Sequence, residues 1–328
     1  MSAPDVFNRF GLTPTINVSG TETVKGASPV SPEIMEPVNA VVGSSVDMLE
    51  LQSAACRLIA GAFGCEAGLV VNSTAAGITV AVAACITGED PGAIEQLPNT
   101  TGLRNQVILQ RGHNVNYGCV ITQNVALAGA RPIEIGAATE CGGYALTAAI
   151  NAETAAALYV VSHHTVQSGL IDLPTFCRLC RGHGIPVIVD AAAEAEPAVF
   201  FRAGADLVIT SMHKQFGSLT AATIAGRLDL VRACLMQQRG IGRVMKVGKE
   251  GIVAAMAAIE RWQSADRSAL AAARNARLEK ARERLDRLPG IAARLQLDPT
   301  SRQFHRLVLT VDPPHAGLTA FGLAAALA

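Results

Sequence analysis

Short, nearly continuous apolar runs alternate with Ala-rich helical runs through the middle of the chain, and the alternation predicts a layered α/β sheet. The apolar runs lie at 68–72, 106–109, 131–135, 157–161, 187–190, 207–210 and 222–225. Runs of this length and texture suit parallel strands covered by helices on both faces. Helical patterns at 75–87, 117–129, 147–153 and 173–183 separate most of them. The rhythm is that of a doubly wound, mostly parallel seven-stranded sheet, in which chemistry gathers beyond the carboxyl ends of strands. Residues 249–288 read as one or two long helices, apolar at 252–259 and then rich in Arg and Glu at helical spacing, such as Glu279 with Arg282 and Glu283 with Arg287. That spacing marks a solvated face on a linking helix rather than a nucleic-acid surface. A strand at 306–311, a Pro-Pro turn and an Ala-rich helix at 318–328 follow. The strand has no visible sheet partner, so the C-terminal α+β domain reads as shortened. The expected organisation is an N-terminal arm over 1–50, a large α/β domain over 51–245, and a linking helix with a small, incomplete domain over 246–328.

Composition narrows the class of partner. The 328 residues carry 27 Lys+Arg against 27 Asp+Glu, with 50% hydrophobic and 16% charged residues. Such a chain folds rather than staying disordered. Its zero net charge provides no general attraction to phosphate backbones or anionic membranes. No apolar run reaches the ~18 to 20 residues of a membrane helix, and the start, MSAPDVFNRFG, lacks the basic and apolar regions of a signal peptide. The expectation is a cytoplasmic protein with neither membrane nor nucleic acid as partner. Most of the eight cysteines sit in apolar runs, where a reduced Cys acts as a small hydrophobe. Cys177 and Cys180 form a CxxC inside a helical pattern with no second pair at finger spacing, so no metal site is expected.

Four strand ends carry candidate chemistry. In ADLVITSMHKQFGS a strand runs into Ser211, His213 and Lys214 and then Gly217, presenting a lysine where it can form a Schiff base with a carbonyl cofactor; the bland alternative is a surface lysine. In GIPVIVDAAAE, Asp190 ends a continuous apolar strand, a costly place for a carboxylate unless it meets a cation or a protonated ring nitrogen, or caps a helix. Pyridoxal phosphate needs both groups, a lysine for its aldehyde and an acid that keeps its pyridine nitrogen protonated. In VVNSTAAGITV, Ser73 and Thr74 open a helix and make either a phosphate cradle or an ordinary cap. In VILQRGHNVNYG, His113 follows a strand, with Asn114, Asn116 and Tyr117 nearby.

The order of these motifs resembles the fold-type I pyridoxal phosphate-dependent enzymes. The segments NVSGTETVKGAS, VDMLELQ, LPNTTG, AGARPIEIG and GIGRVMKVGKEGI resemble, more narrowly, the selenocysteine synthase (SelA)-like and D-glucosaminate-6-phosphate ammonia-lyase group. The resemblance implies Lys214 as the Schiff-base lysine, Asp190 as the partner of the pyridine nitrogen, and Ser73, Thr74 and Ser211 around the cofactor phosphate, with His213 beside the lysine. It implies His113 stacked on the ring, with His164 as a competitor for contact with the ring or its 3-oxygen; one of His163 and His164 is then structural. Arg243, Lys246 and Lys249 offer an anion site for the substrate or a solvated basic turn, and Thr23 lies in a Gly-bounded loop that the resemblance places near the active site. The implied activity is a lyase that eliminates a β-hydroxyl from a small 2-amino acid, such as an amino-sugar acid, giving a 2-keto acid and ammonia. Selenium or sulfur transfer, transamination and racemisation use the same cofactor and stand as alternatives, as does a non-catalytic paralogue that only holds the cofactor. A homodimer or larger homo-oligomer is implied by the resemblance as well.

Overall fold

The computed structural model describes residues 3–298 and 305–327, and the chain forms two compact units, Met1–Gln263 and Ser264–Ala328. In the first unit, α1 (Ala3–Phe10), α2 (Pro32–Val42) and α3 (Met48–Phe63) precede the sheet. β1 (Ala67–Val71) feeds α4 (Thr74–Thr87) and the short α5 (Pro91–Gln96). β2 (Gln106–Gln110) leads to α6 (Ile121–Leu127), β3 (Arg131–Ile135) to α7 (Gly143–Ala149), and β4 (Thr154–Val160) to α8 (Leu173–Arg181). β5 (Val187–Asp190), α9 (Ala198–Arg202), β6 (Leu207–Ser211) and β7 (Ala222–Gly226) complete the sheet, and α10 (Leu228–Met236) and α11 (Lys249–Ser264) follow.

The sheet order is β1-β7-β6-β5-β4-β2-β3, with β7 antiparallel to both its neighbours and the other pairings parallel. All seven expected strands are present within a few residues of their predicted limits. Two helices differ from the pattern. α6 begins at Ile121 rather than 117, because residues 116–120 close a small loop through an Asn116–Val120 bridge. α7 ends at Ala149, because Asn151 accepts the Glu153 N–H at 2.8 Å in the turn that starts β4.

Three apolar clusters clothe the sheet. One, beneath α4, α6 and α10, holds Leu109, Leu158, Ile188, Ile209 and Ile224; a second, under α7 and α8, holds Ile108, Ala157, Val189 and Val208. Cys177 and Cys180 are buried in the second cluster. The third packs α2, α3 and α11 around Val70, Met212 and Phe216. α4 lies against β4, β5, β6 and β7, and Gly77 permits its approach: a Cβ there would stand 2.8 Å from Ile209 Cγ2.

In the second unit, α12 (Arg267–Leu285) is capped by Asp266, so the 249–288 run divides into two helices. β8 (Ile291–Leu297) pairs antiparallel with β9 (His305–Val311), and α13 (Pro313–Ala316) and α14 (Ala320–Leu327) follow. The expected lone strand therefore has a partner. Ala328, the last residue of the expected helix, lies outside the described residues.

Candidate active site

Side chains alternate between the two faces of a strand, and the alternation orients the carboxyl edge of the sheet. Along β5, Val187 and Val189 pack on the α8 face and Ile188 on the α4 face, so Asp190 points to the α4 face. Along β6, Val208 faces α8 while Leu207 and Ile209 face α4, so Ser211 shares the side of Asp190. The start of α4 brings Ser73 and Thr74 to this same edge. Ser73 caps the helix, its Oγ accepting the Ala76 N–H at 3.1 Å, which leaves the hydroxyl free to donate.

The turn after β6 is built to hold Lys214 in place. Met212 is fully buried, and Phe216 is 2% exposed, packing its ring on Phe63 and Trp262 at 5.8 and 5.5 Å. Gly217, at φ +69°, turns the chain back, where Ser218 N–H donates to the Met212 carbonyl at 2.9 Å. From the N-terminal segment, Ser28 N–H donates to His213 O at 3.2 Å and Ser28 Oγ to Lys214 O at 2.7 Å. The neighbouring Ala27 is buried at φ +57°, a conformation costly for a residue with a Cβ, which concentrates where surrounding structure demands it. Sequence reasoning quoted KGAS as a motif without giving Ser28 a role; only the fold shows that it braces the lysine turn.

Electrostatics single out Asp190. The carboxyl group is 6% exposed, and burial pushes its pKa up to about 6 against the opposing pull of the Lys214 charge and the Ala192 N–H. Its Oδ1 is buried without a hydrogen-bond partner. An unpaired buried carboxylate oxygen is expensive, and a protonated ring nitrogen would satisfy it in both charge and hydrogen bonding. The donor set therefore fits pyridoxal phosphate: an acid for the ring nitrogen, an amine for the aldehyde, and hydroxyls at a helix start for the phosphate. The imidazole of His213 is held below its usual range by burial and then by the Lys214 charge.

The remaining expected residues are placed differently. His113 is 2% exposed, its Nδ1 accepts the Val160 N–H at 3.2 Å, and its ring meets Tyr159 edge-on at 4.4 Å. Tyr159 in turn packs on Phe176 in the α8-face layer. Burial lowers the His113 pKa to about 4. The His113 ring is thus held at the end of β4, between the Val160 N–H and the Tyr159 ring. His164 is exposed, 3.9 Å from the His163 ring between centroids. Thr23, Arg243 and Lys246 are exposed, whereas the Lys249 ammonium is spent on the Ser44 carbonyl. Lys246 borders a small open crevice with Val71, Val80, Gln238 and Met245.

Comparison with known proteins adds to this geometry. The family model described as SelA, L-seryl-tRNA selenium transferase, matches residues 50–298. The chain is 34% identical over 317 residues to a D-glucosaminate-6-phosphate ammonia lyase of Salmonella typhimurium, covering 97% of this chain and 85% of that one. It is 37% identical over 320 residues to a 5'-C-glycyluridine monooxygenase-decarboxylase of a Streptomyces species, covering 97% and 80%. A solved structure of D-glucosaminate-6-phosphate ammonia-lyase superposes with a TM-score of 0.90, at 34% identity, over 99% of this chain and 87% of that one.

Proposed function

The chain belongs to the SelA family, and from that premise we propose that it is a pyridoxal phosphate-dependent lyase. It acts on a small 2-amino acid of the amino-sugar acid class, removing the β-hydroxyl and the amino group to give a 2-keto acid and ammonia. The observation that carries this reading is the buried, partnerless Oδ1 of Asp190 on the α4 face, within the field of Lys214. Similarity to the Salmonella ammonia lyase supports the reaction class.

When bound, the cofactor supplies an electron sink for charge developing at the substrate α-carbon. Asp190 holds the ring nitrogen protonated, and Ser73, Thr74, Ser211 and the start of α4 hold the phosphate. Lys214 would hold the cofactor at its aldehyde, and its Nζ, when free, would be the base that takes the α-proton. Lys214, or a neighbouring His, then gives a proton to the departing hydroxyl oxygen. Loss of water leaves an enamine whose hydrolysis returns that water and releases ammonia, so the balance closes without an oxidant. His213 stays neutral beside the lysine. Arg243 and Lys246, with Thr23, are assigned to the substrate's anionic groups. The arm over residues 1–50 lies near the active site, the cofactor domain spans 51–245, and 246–328 form the linking helix and small domain. A second copy of the chain covers the arm, whose Ile16, Val18 and Val24 are 91, 83 and 87% exposed. Among the described residues no helix is long and apolar enough to cross a membrane, and we assign the protein to the cytoplasm.

The experiment is turnover of D-glucosaminate 6-phosphate by cofactor-supplied protein, with ammonia, keto acid and dissolved oxygen followed together. The expected result is ammonia and 2-keto acid in equal amounts, independent of oxygen. The Streptomyces relative favours one second reading, oxidative decarboxylation. Oxygen uptake with loss of carbon dioxide would replace the lyase reading by that one.

A further inference from the structure

Aromatic side chains at the carboxyl edge divide between the two faces of the sheet. His113 and Tyr159 stack toward Phe176 on the α8 side. Tyr117 lies on the other side, in the loop that enters α6, whose Ile121 and Val125 belong to the α4-face cluster. Its ring is 44% exposed, while its hydroxyl is tied down: Tyr117 Oη accepts from Asn124 Nδ2 at 2.5 Å. Asn124 is 2% exposed and is itself fixed, its backbone carbonyl accepting from Thr79 Oγ1 at 2.9 Å. Thr79 lies on α4, little more than one turn beyond Thr74. The loop is braced locally by the Asn116–Val120 bridge and by Asn116 Oδ1, which accepts the Gly118 N–H at 2.9 Å. The tether thus runs from the helix that opens with the phosphate-binding hydroxyls to a half-exposed ring on the face of Asp190. Burial and then the Asp190 charge both raise the titration of the phenol, which places the two groups in one electrostatic neighbourhood and keeps the phenol protonated.

We propose that Tyr117 is the aromatic side chain that contacts the planar ring of the cofactor, with Asn124 as the positioning residue that fixes it there. The inference rests on the cofactor reading above. An electron-poor heteroaromatic ring beside Asp190 finds its favourable partner in an electron-rich phenol, through an offset or edge-on contact. Asn124 prevents that phenol from rotating out to solvent. Because Oη already accepts a hydrogen bond, its own proton remains available as a donor to an oxygen of the cofactor or substrate.

Hydroxyl-radical footprinting of the unaltered chain tests this without any variant. Loading with pyridoxal phosphate, followed by its visible band, should protect Tyr117 several-fold, while Tyr144, 83% exposed on α7, serves as the internal reference. Tyr117→Leu should bind the cofactor about 3- to 10-fold more weakly and move the band, and Tyr117→Phe should restore affinity to within about two-fold. Unchanged Tyr117 labelling in a protein that shows the band would overturn the assignment, as would wild-type affinity in the Leu variant. So would a Phe variant as weak as Leu, since the hydroxyl and not the ring would then be responsible. If no band forms at all, the cofactor reading falls and this inference falls with it.

Discussion

Asp190 is the residue where stability and function oppose one another. Its folded-state pKa of about 6 lies above the ordinary 3.8, so between those values the folded chain binds more protons than the unfolded one. Stability of the cofactor-free protein therefore falls as pH rises through that window, and above it the full cost, roughly 3 kcal/mol, is present. Asp190→Asn removes the charge but leaves an amide to satisfy. The variant is expected to be more stable than the cofactor-free wild type by about 1–2 kcal/mol at pH 7.5, with the difference gone near pH 4, as urea titrations at the two pH values would show. The same variant should lose turnover by roughly 10²-fold or more. The positions of Asp190, at the end of β5, and of Lys214, in the turn after β6, were legible because each apolar strand run gives way to polar residues there. The setting of the His113 side chain was not legible, because the 3-10 turn Arg111–His113 resets side-chain direction after β2, and no local pattern records which face results. Ser28 and Tyr117 act through partners 186 and 7 positions away, the first wholly tertiary and the second set by a loop closure.

Among elements, β1 shows how an edge strand is protected in a sheet otherwise shielded by helices. It pairs only with β7, and the outward N–H and C=O of Val70 are both taken by the side chain of Gln52 on α3, at 3.1 and 2.8 Å. Gln52 is 3% exposed, so the carboxamide stands in for the missing strand. Gln52→Leu leaves two buried backbone groups unpaired and is expected to cost about 2–4 kcal/mol, read as a lower urea midpoint at unchanged slope. Six of the seven strands of the sheet were readable because burial on both faces makes each a nearly continuous apolar run, whereas β3, RPIEI, lies at the edge with Arg131 and Glu134 exposed. β8, with the sequence IAARLQL, was not: most of its residues are half-buried or exposed and its polar positions blur the alternation. The Gln52 device was invisible too, since a lone Gln in an apolar helix gives no sign that a strand edge lies within its reach.

For the whole molecule, the neutral and alanine-rich composition fits a sheet buried between helices, and the α/β class was legible from pattern alone. What composition did not show is how exposed the extended arm is, because Ile16 and Val18 read as any β-like apolar pair until the fold leaves them at the surface. If a second copy covers them, Ile16→Ser with Val18→Ser should lower the sedimentation mass toward that of one chain, while the wild type sediments as a dimer or larger. The arm also reaches the lysine turn through Ser28, which ties assembly to the site. All of this depends on Lys214 being the residue that holds the cofactor. The sequence has five lysines, Lys25, Lys214, Lys246, Lys249 and Lys280, so borohydride reduction of the cofactor-loaded protein followed by peptide mass spectrometry gives a direct answer. A pyridoxyl label on Lys214 is the predicted result; a label on one of the other four, or none in a folded and loaded protein, would contradict the account.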